Sequence, residues 1–244
     1  MRKFGLIGRN ISYSFSPNYF AEKFSREKID ASYQNFDLQD LSEFPEILRK
    51  NKGLEGLNVT IPYKESILPF LDSIAPIASE IGAVNTIKIS KSGKLTGFNT
   101  DYNGFLEAIR PFLKEQHKKA LILGTGGASK AVVYALKSEN IETTFVSRKP
   151  SKNAISYEDL DKEVLEDHLL IINSTPLGTF PNTTDFPKIP VQNLTPGHLV
   201  FDLIYNPPTT KLMELAKING ATVTNGLKML ELQAEKAWEI WQQD

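Results

Sequence analysis

The chain has 244 residues, enough for one large domain or two modest ones, and its 41% hydrophobic and 23% charged residues are typical of a soluble globular enzyme. Its formal net charge of −1 lacks the positive excess that a general nucleic-acid binder needs. No apolar run reaches the roughly 18 residues of a membrane span. We therefore expect a cytoplasmic protein that binds neither nucleic acid nor membrane.

Cysteine is absent, which excludes disulfides, a thiolate nucleophile and cysteine-ligated metal sites. The three histidines, His117, His168 and His198, lack the close spacing of a helical metal pair and are predicted to be surface or loop residues. No metal site is expected. Any redox chemistry would therefore use a bound organic cofactor.

Short strand-like segments alternate with helical ones over the first hundred residues, which is typical of an α/β unit. The pattern predicts strands at 3–7, 33–36, 57–61 and 84–89, helices at 19–28 and 41–50, and a hairpin turn at 91–94. Farther along, it predicts helices at 102–113 and 131–137 and strands at 120–123, 143–146, 169–172 and 199–203.

The last segment has an apolar stripe at helical spacing. We expect this helix to fold back across the junction between two domains. The stripe consists of Leu227, Leu230, Ala234, Trp238 and Trp241.

A glycine-rich turn connects the strand at 120–123 to the helix that follows it. Gly124, Gly126 and Gly127 fit a phosphate-binding turn, in which glycine lets the backbone approach a pyrophosphate at a helix N-terminus. Ser129 takes the place of the third glycine of the usual motif. A purely structural strand–turn–helix remains an alternative.

The next strand ends in a basic, hydroxyl-bearing sequence formed by Ser147, Arg148, Lys149 and Lys152. An NAD-specific site of this type has an acidic residue here for the ribose hydroxyls, whereas a basic loop suits a 2′-phosphate. We therefore predict NADP as the cofactor. The alternative is a solvated turn.

Two serines, Ser14 and Ser16, lie near a predicted helix start. Ser16 is predicted to be the helix N-cap, with Pro17 at the first helical position. The two hydroxyls also suit a carboxylate in the positive field of a helix N-terminus. Asp101 is either the N-cap of the helix from Tyr102 or a functional residue.

Two further motifs follow predicted strands. In "NVTIPYKE" the strand stops at a proline and then presents Lys64. The motif "INSTPLG" is either an ordinary strand-end turn or the backbone wall against which a nicotinamide rests, because ligands bind at this edge of an open α/β sheet.

Eight motifs together resemble the shikimate dehydrogenase family in order and spacing, from about Gly5 to Trp238. That family reduces 3-dehydroshikimate to shikimate with NADPH in the chorismate pathway of aromatic amino-acid biosynthesis, using two α/β domains with a cleft between them. The motifs are "SYSFSP", "NVTIPYKE", "GAVNTI", "GFNTDYNG", "GTGGASKA", "NSTPLG", "YNPPTT" and "NGLKMLELQAEKAW".

The resemblance implies an N-terminal α/β substrate domain over 1–100, joined by the C-terminal segment 226–244, and a Rossmann-like NADP-binding domain over 101–225. A monomer or homodimer is expected. The implied catalytic pair is Lys64 and Asp101. The implied substrate-binding residues are Ser14, Ser16, Asn58, Thr60, Asn85, Tyr205 and Gln233. On the cofactor side the resemblance implies Gly124, Gly126, Gly127, Ala128, Arg148, Thr175, Gly226 and Met229, with Ser147, Lys149 and Lys152 added by the basic loop.

Such a reaction explains a lysine after the strand. The nicotinamide delivers hydride to carbon, and a lysine ammonium can donate the proton that the ketone oxygen needs. An adjacent carboxylate such as Asp101 would orient Lys64 and take part in the proton relay.

The sequence departs from the family pattern at two places. Tyr13 stands where a histidine usually precedes the first serine, and the basic loop reads Ser147-Arg148-Lys149 instead of Asn-Arg-Thr. Arg148 preserves the NADP interpretation, while the strength of the preference over NAD stays open.

Two other classes of dehydrogenase do not match the sequence, and two further interpretations stay open. A short-chain dehydrogenase would use a Tyr-x-x-x-Lys pair such as Tyr19 and Lys23, but here the pair precedes the glycine turn by about a hundred residues instead of following it. A zinc-dependent alcohol dehydrogenase lacks its cysteine ligands and paired histidines. A non-catalytic NADP-binding sensor and a quinate or dual quinate/shikimate dehydrogenase remain alternatives.

Overall fold

A computed structural model describes residues 1–149 and 154–243. Lys152, which was predicted to belong to the basic loop, lies outside the described residues. The chain divides into two compact units. The first unit is Met1–Thr100 together with the end of the chain from Gln233, and the second is Asp101–Leu232. No helix within the described residues has the length and apolar character needed to cross a membrane.

The first unit alternates strands and helices as its hydrophobic pattern predicts. A 3-10 turn at Leu41–Glu43 leads into the second helix, and another lies at Leu68–Phe70. The elements in chain order are β1 (Arg2–Gly8), α1 (Phe15–Glu27), β2 (Ala31–Asp37), α2 (Phe44–Lys50), β3 (Leu54–Val59), β4 (Ser73–Ile74), α3 (Pro76–Ile81), β5 (Thr86–Ile89) and β6 (Leu95–Phe98).

The strands of the first unit form a mixed sheet in the order β2-β1-β3-β5-β6-β4. β1 pairs in parallel with β2 and β3, while β5 runs antiparallel to both β3 and β6. The predicted turn between β5 and β6 is closed by a 3.0 Å bond from the Ser90 amide to the Lys94 carbonyl. This sheet brings the carboxyl ends of β1 and β3 together at one edge.

The second unit contains the remaining elements, with 3-10 turns at Arg110–Phe112 and Val191–Asn193. Its last helix starts in this unit and contributes its residues from Gln233 onward to the first. The elements are α4 (Asp101–Ile109), β7 (Lys119–Leu123), α5 (Gly127–Ser138), β8 (Glu142–Val146), β9 (Ala154–Ile155), α6 (Lys162–Asp167), β10 (Leu170–Asn173), β11 (Leu199–Asp202), α7 (Lys211–Ile218), β12 (Thr222–Asn225) and α8 (Leu227–Gln242).

All the paired strands described in the second unit are parallel, in the order β12-β11-β10-β7-β8-β9. Buried side chains cover both faces of this sheet, which explains why its strands read as nearly continuous apolar runs. The strand order reverses between β7 and β10, because the chain proceeds outward from β7 on one side and from β10 on the other. Such a switch point opens a crevice at the carboxyl ends of the strands.

The C-terminal half of α8 packs into an aromatic cluster of the first unit. Trp241 stacks on Phe4 with ring centroids 4.8 Å apart, and its indole Nε1 donates a 3.0 Å bond to the Ile87 carbonyl. A Cβ at Gly56 would lie 2.2 Å from that nitrogen, so the close approach requires glycine. Leu227, which was predicted to share the apolar stripe, is instead 40% exposed.

The predicted elements are confirmed except at some boundaries. The strand predicted at 57–61 ends at Val59, and the helix predicted at 102–113 ends as an α-helix at Ile109, two residues before Pro111. The helix predicted at 41–50 divides into a 3-10 turn and α2 around Pro45. Short elements that the pattern missed are β4, α3, β9, α6, α7 and β12.

The three histidines lie in loops, which is one of the two predicted placements, but they are buried and not at the surface. His198 donates through Nε2 to the Leu165 carbonyl at 2.9 Å, and His168 donates through Nδ1 to the Val164 carbonyl at 2.9 Å. Burial lowers the pKa of His117, with only partial opposition from its bond to the Gly197 carbonyl. All three side chains hydrogen-bond to backbone carbonyls that would otherwise lack this partner.

Candidate active site

The two predicted substrate serines lie at the N-terminus of α1. Ser14 is the N-cap, with an extended backbone and no side-chain capping bond, and Ser16 lies in the first turn of the helix. The prediction that Ser16 is the N-cap was therefore wrong. The first turn of α1 contains no acidic residue. Two hydroxyls at an uncompensated helix N-terminus favour an anion.

A buried polar cluster of the first unit contains three of the predicted substrate residues. The Asn58 amide nitrogen donates 3.2 Å bonds to the Asn85 carbonyl and to Thr86 Oγ1. Asn85 Nδ2 donates to Thr100 Oγ1 at 3.0 Å and to Gln233 Oε1 at 3.3 Å, while its Oδ1 accepts the Thr100 amide at 2.6 Å. These amides are held in fixed orientations because their polar atoms have partners.

Thr60 and Lys64 follow the end of β3. The Thr60 amide donates a 2.8 Å bond to the Ile7 carbonyl of β1, and the Lys64 carbonyl accepts a 2.7 Å bond from the Val84 amide. The side chain of Lys64 is half-buried. The backbone that carries Lys64 is therefore hydrogen-bonded to its own sheet. This agrees with the prediction of a strand that ends at a proline shortly before the lysine.

Asp101 is the first residue of α4 and is 5% exposed. It was weighed as the N-cap of a helix from Tyr102, but the helix already includes it. A carboxylate in the first helical turn is stabilised by the helix dipole.

Tyr205, another predicted substrate residue, lies half-buried beyond the end of β11 in the second unit.

The glycine turn of the second unit joins β7 to α5. Gly124 has φ +98°, where a side chain is strained, and Gly126 is the N-cap of α5. A Cβ at Gly126 would meet no atom within 4 Å, so packing within the protein does not require glycine there. Ser129, in place of the third glycine, is buried and bonds back to the Gly126 carbonyl at 2.6 Å. Ala128 occupies the first turn of the helix between them.

The turn lies directly beside the motif "NSTPLG" at the point where the strand order reverses. A Cβ at Gly124 would lie 3.0 Å from Thr175 Cγ2 and 3.1 Å from Ser174 Oγ. Thr175 itself is fixed by Asn173, whose Oδ1 accepts the Thr175 amide at 3.0 Å and its hydroxyl at 2.7 Å. The glycine turn and Thr175 thus border one crevice of the parallel sheet.

A cavity of about 760 Å³ lies at the end of β8 and is lined by Thr125, Ser147, Arg148, Lys149 and Ala154. Ser147 Oγ accepts the Lys149 amide at 3.2 Å, which shapes the loop. Two cations and a hydroxyl in one concave surface, continuous with the glycine turn through Thr125, fit a phosphate group. The donors and the open space at Gly126 therefore fit a dinucleotide with a 2′-phosphate.

Gly226 and Met229 have clear packing roles. A Cβ at Gly226 would lie 2.0 Å from the Leu203 carbonyl oxygen, and the Gly226 amide donates a 3.1 Å bond to the Ile204 carbonyl. Met229 is 6% exposed and packs in the core of the second unit. Both residues fix the start of α8 against β11.

No group of three acidic, histidine or cysteine side chains that could hold a metal ion occurs in residues 1–149 and 154–243.

The family model described as the shikimate dehydrogenase substrate binding domain matches residues 6–87. A curated relative from Clostridium botulinum (strain Hall), named shikimate dehydrogenase (NADP(+)), is 39% identical over 248 residues, which cover 97% of this chain and 95% of the relative. The chain belongs to the shikimate dehydrogenase family.

Solved structures of this family agree with the fold. Shikimate 5-dehydrogenase from Thermus thermophilus, in complex with NADP(H) and shikimate, is 31% identical, with a TM-score of 0.88 over 99% of this chain and 94% of its own. Quinate dehydrogenase from Corynebacterium glutamicum, in complex with NAD, is 26% identical with a TM-score of 0.87, over 99% and 93%. The predicted fold class, an α/β substrate domain with a Rossmann-like domain, is confirmed.

Three residues that the sequence analysis did not select are hydrogen-bonded to residues of the predicted site motifs. Tyr33 bonds to Asn58, Thr100 to Asn85, and Asp202 to Asn173. Thr100 lies within the motif "GFNTDYNG", directly before Asp101, whereas Asp202 lies at the end of β11 and outside all eight motifs. Tyr33 lies in a strand without any motif, and only the pairing of β1 with its two neighbours brings it near Asn58.

Proposed function

We propose that this chain is an NADP-dependent shikimate dehydrogenase, which reversibly reduces 3-dehydroshikimate to shikimate in the chorismate pathway. The single observation that carries the proposal is family membership at 39% identity over nearly the whole chain. The Thermus thermophilus relative, whose structure contains NADP(H) and shikimate, matches almost every part of this fold. The enzyme is an oxidoreductase acting on a CH–OH group.

The substrate residues are assigned by chemistry. Ser14 and Ser16 hold the carboxylate at the N-terminus of α1, where hydroxyl donors and the helix dipole act together. Asn58, Asn85 and Gln233 present fixed amides to the ring hydroxyls. Thr60 and Tyr205 complete the set of hydroxyl-bearing contacts.

The reaction needs two additions to the ring ketone. NADPH supplies the hydride to the carbonyl carbon when it is bound. Lys64 donates a proton to the oxygen as the alkoxide develops, and Asp101 orients the ammonium and takes part in returning the proton. In the reverse direction the oxidised cofactor would take the hydride from the carbon, and Lys64 accepts the hydroxyl proton.

The cofactor residues belong to the second unit. Gly124, Gly126, Gly127 and Ala128 place the N-terminus of α5 at the pyrophosphate. Ser147, Arg148 and Lys149, in the cavity at the end of β8, bind the 2′-phosphate and favour NADP over NAD. Thr175 borders the nicotinamide, and Gly226 with Met229 supports that side through α8. Lys152 is proposed from the sequence alone.

Quinate is the second substrate to consider, because a relative with a TM-score of 0.87 is a quinate dehydrogenase. Shikimate and quinate share a carboxylate and hydroxyl-bearing ring carbons, so the same serines and amides could hold either.

The division of the chain into a substrate domain over 1–100 plus 226–244 and a cofactor domain over 101–225 is proposed together with these roles. A cytoplasmic location and a monomer or homodimer remain predictions.

The deciding experiment follows NADPH absorbance with purified protein, with shikimate and quinate in parallel and with NADP and NAD in turn. Turnover of shikimate with NADP supports the proposal. A faster reaction with quinate would reassign the substrate. Tight NADP binding without turnover of either acid would instead identify a non-catalytic sensor.

A further inference from the structure

Tyr33 lies in β2 of the first unit and belongs to none of the eight motifs. Its hydroxyl donates a 2.8 Å hydrogen bond to Asn58 Oδ1, and the hydroxyl of Ser16 is placed to donate to its oxygen. Both partners are substrate residues under the proposed function. A phenol has one proton to donate, so these two bonds use the hydroxyl as donor and acceptor at once.

The sheet explains how one side chain reaches both partners. Tyr33 pairs with Phe4 of β1, and Asn58 pairs with Leu6 of the same strand, so the phenol extends across β1 to β3. Gly56, which is the other partner of Phe4, has no side chain there. The Trp241 indole occupies the space over Gly56, and its ring centroid lies 6.4 Å from that of Tyr33.

The direction of the hydroxyl is fixed by packing of the ring. Tyr33 stacks on Phe20 with centroids 4.5 Å apart and an interplanar angle of 15°. Phe20 and Ser16 are four residues apart on α1, so they lie on one face of the helix. The same helix face thus holds the ring through Phe20 and meets the hydroxyl through Ser16.

The bond to Tyr33 completes the hydrogen bonding of Asn58. The amide nitrogen of Asn58 already donates to the Asn85 carbonyl and to Thr86 Oγ1, and Tyr33 supplies the donor for the amide oxygen. Burial raises the pKa of Tyr33, against the smaller lowering effect of Ser16, so the phenol stays a neutral donor at physiological pH.

We propose that Tyr33 is a positioning residue that fixes Ser16 of α1 and Asn58 of β3 in the geometry that binds the substrate. This inference rests on the proposed function. Without the phenol hydroxyl, the Asn58 amide oxygen loses its donor and the Ser16 hydroxyl loses the phenol oxygen as a partner. The expected defect is in substrate binding, with the cofactor side unaffected.

The test compares Tyr33→Phe with Tyr63→Phe. Phenylalanine keeps the stacking on Phe20, and Tyr63 is a matched control because its buried hydroxyl donates 2.6 Å to the Leu38 backbone carbonyl. Tyr33→Phe should raise KM for shikimate about tenfold, with kcat and KM for NADP changed less than about threefold. Tyr63→Phe should leave all three near wild type, even if both variants melt at lower temperature.

A double-mutant cycle separates positioning from direct contact with the substrate. If Tyr33 acts through Ser16, Tyr33→Phe should raise KM much less in a Ser16→Ala background than in the wild type. Additive effects, an unchanged KM in Tyr33→Phe, or an equal rise in Tyr63→Phe would each overturn the proposal. Wild-type protein that does not turn over shikimate would overturn the proposed function, whereas these outcomes in an active enzyme concern Tyr33 alone.

Discussion

Asn173 Nδ2 lies 3.0 Å from Asp202 Oδ1, and both side chains are fully buried at the ends of the adjacent strands β10 and β11. Asp202 also accepts the Thr210 hydroxyl at 2.7 Å and the Ile204 amide at 3.1 Å. Asn173 uses its remaining oxygen to hold Thr175. A buried carboxylate with neutral donors thus anchors the loop proposed to border the nicotinamide.

The charge of Asp202 should make stability depend on pH. Burial raises its pKa, and the bonds from Thr210, Ile204 and Asn173 oppose this only in part. Because the folded state then binds the proton more tightly than the unfolded chain, the free energy of unfolding should fall as pH rises from about 3.8 through the raised pKa. Above the raised pKa, Asp202 is ionised in both the folded and the unfolded state, so its effect on the free energy of unfolding no longer changes with pH.

Asp202→Asn removes this titration while keeping the shape of the side chain. The stability of wild type relative to the variant, measured by urea denaturation across the acid range, should therefore decrease with increasing pH and then level off. A relative stability that increases with pH would mean that the three hydrogen bonds outweigh burial and lower the pKa of Asp202.

Local patterns predicted the strands and the glycine turn, because a continuous apolar run and a strand–glycine–helix order are encoded within about a dozen residues. The pair Asn173 and Asp202 is 29 residues apart and depends on the register of two strands. Lys23 bonds to Glu235 across 212 residues. Such contacts follow from tertiary packing, which no local pattern contains, and the same holds for histidines buried against backbone groups.

Lys64 tests the proposed proton transfer. Lys64→Met keeps an apolar side chain of similar length but removes the ammonium, so kcat should fall about 10²–10⁴-fold while NADP binding stays near wild type. Steady-state rates and a direct NADP titration measure the two effects. Lys91→Met, at an exposed turn residue of the same unit, is the control and should be fully active. A kcat close to wild type in Lys64→Met would remove this lysine from the mechanism.

Arg148 tests the choice of cofactor. Arg148→Ala removes one of two cations in the cavity at the end of β8, so KM for NADP should rise about 10–100-fold while KM for NAD changes little. Arg49→Ala, at an exposed arginine of α2, should change neither value. Equal losses with both cofactors would show that the loop does not contact the 2′-phosphate.

Gly126 separates a cofactor role from a folding role. Its φ of −77° is allowed for alanine and its surroundings are open, so Gly126→Ala should cost less than about 1 kcal/mol of unfolding free energy. A methyl group at the N-terminus of α5 would nevertheless obstruct a pyrophosphate, and NADP affinity should fall at least about tenfold.

Gly226→Ala, in contrast, should lower the stability of the fold. Its Cβ would clash with the Leu203 carbonyl oxygen at 2.0 Å, so the backbone must move and thermal stability should drop markedly. Thermal denaturation and NADP titration of both variants give the comparison. Unchanged NADP affinity in Gly126→Ala would argue against close approach of a phosphate to this turn.

Glu235 connects α8 to α1 through a lysine that is only 5% exposed. Lys23 Nζ donates to Glu235 at 2.7 Å and to Glu27 at 3.0 Å, and the Tyr19 hydroxyl donates to the second oxygen of Glu235. Tyr19 and Lys23, the pair that resembled a short-chain dehydrogenase motif, therefore hold the end of the chain in place. Glu235→Ala leaves the buried ammonium with Glu27 alone and should cost about 1–3 kcal/mol of unfolding free energy.

The matched control is Glu239→Ala. Glu239 pairs with Lys236 at 2.7 Å in an exposed position, so this substitution should cost less than about 0.5 kcal/mol of unfolding free energy.

Burial lowers the pKa of Lys23, but its hydrogen bonds to Glu235 and Glu27 outweigh burial and raise it above 10.5. The contribution of the pair is therefore fully present below that pH and is lost only as pH rises through the raised value. Urea denaturation at pH 7 and pH 9 should give the same loss for Glu235→Ala, and an equal loss for Glu239→Ala would show that burial of Lys23 adds nothing to the pair.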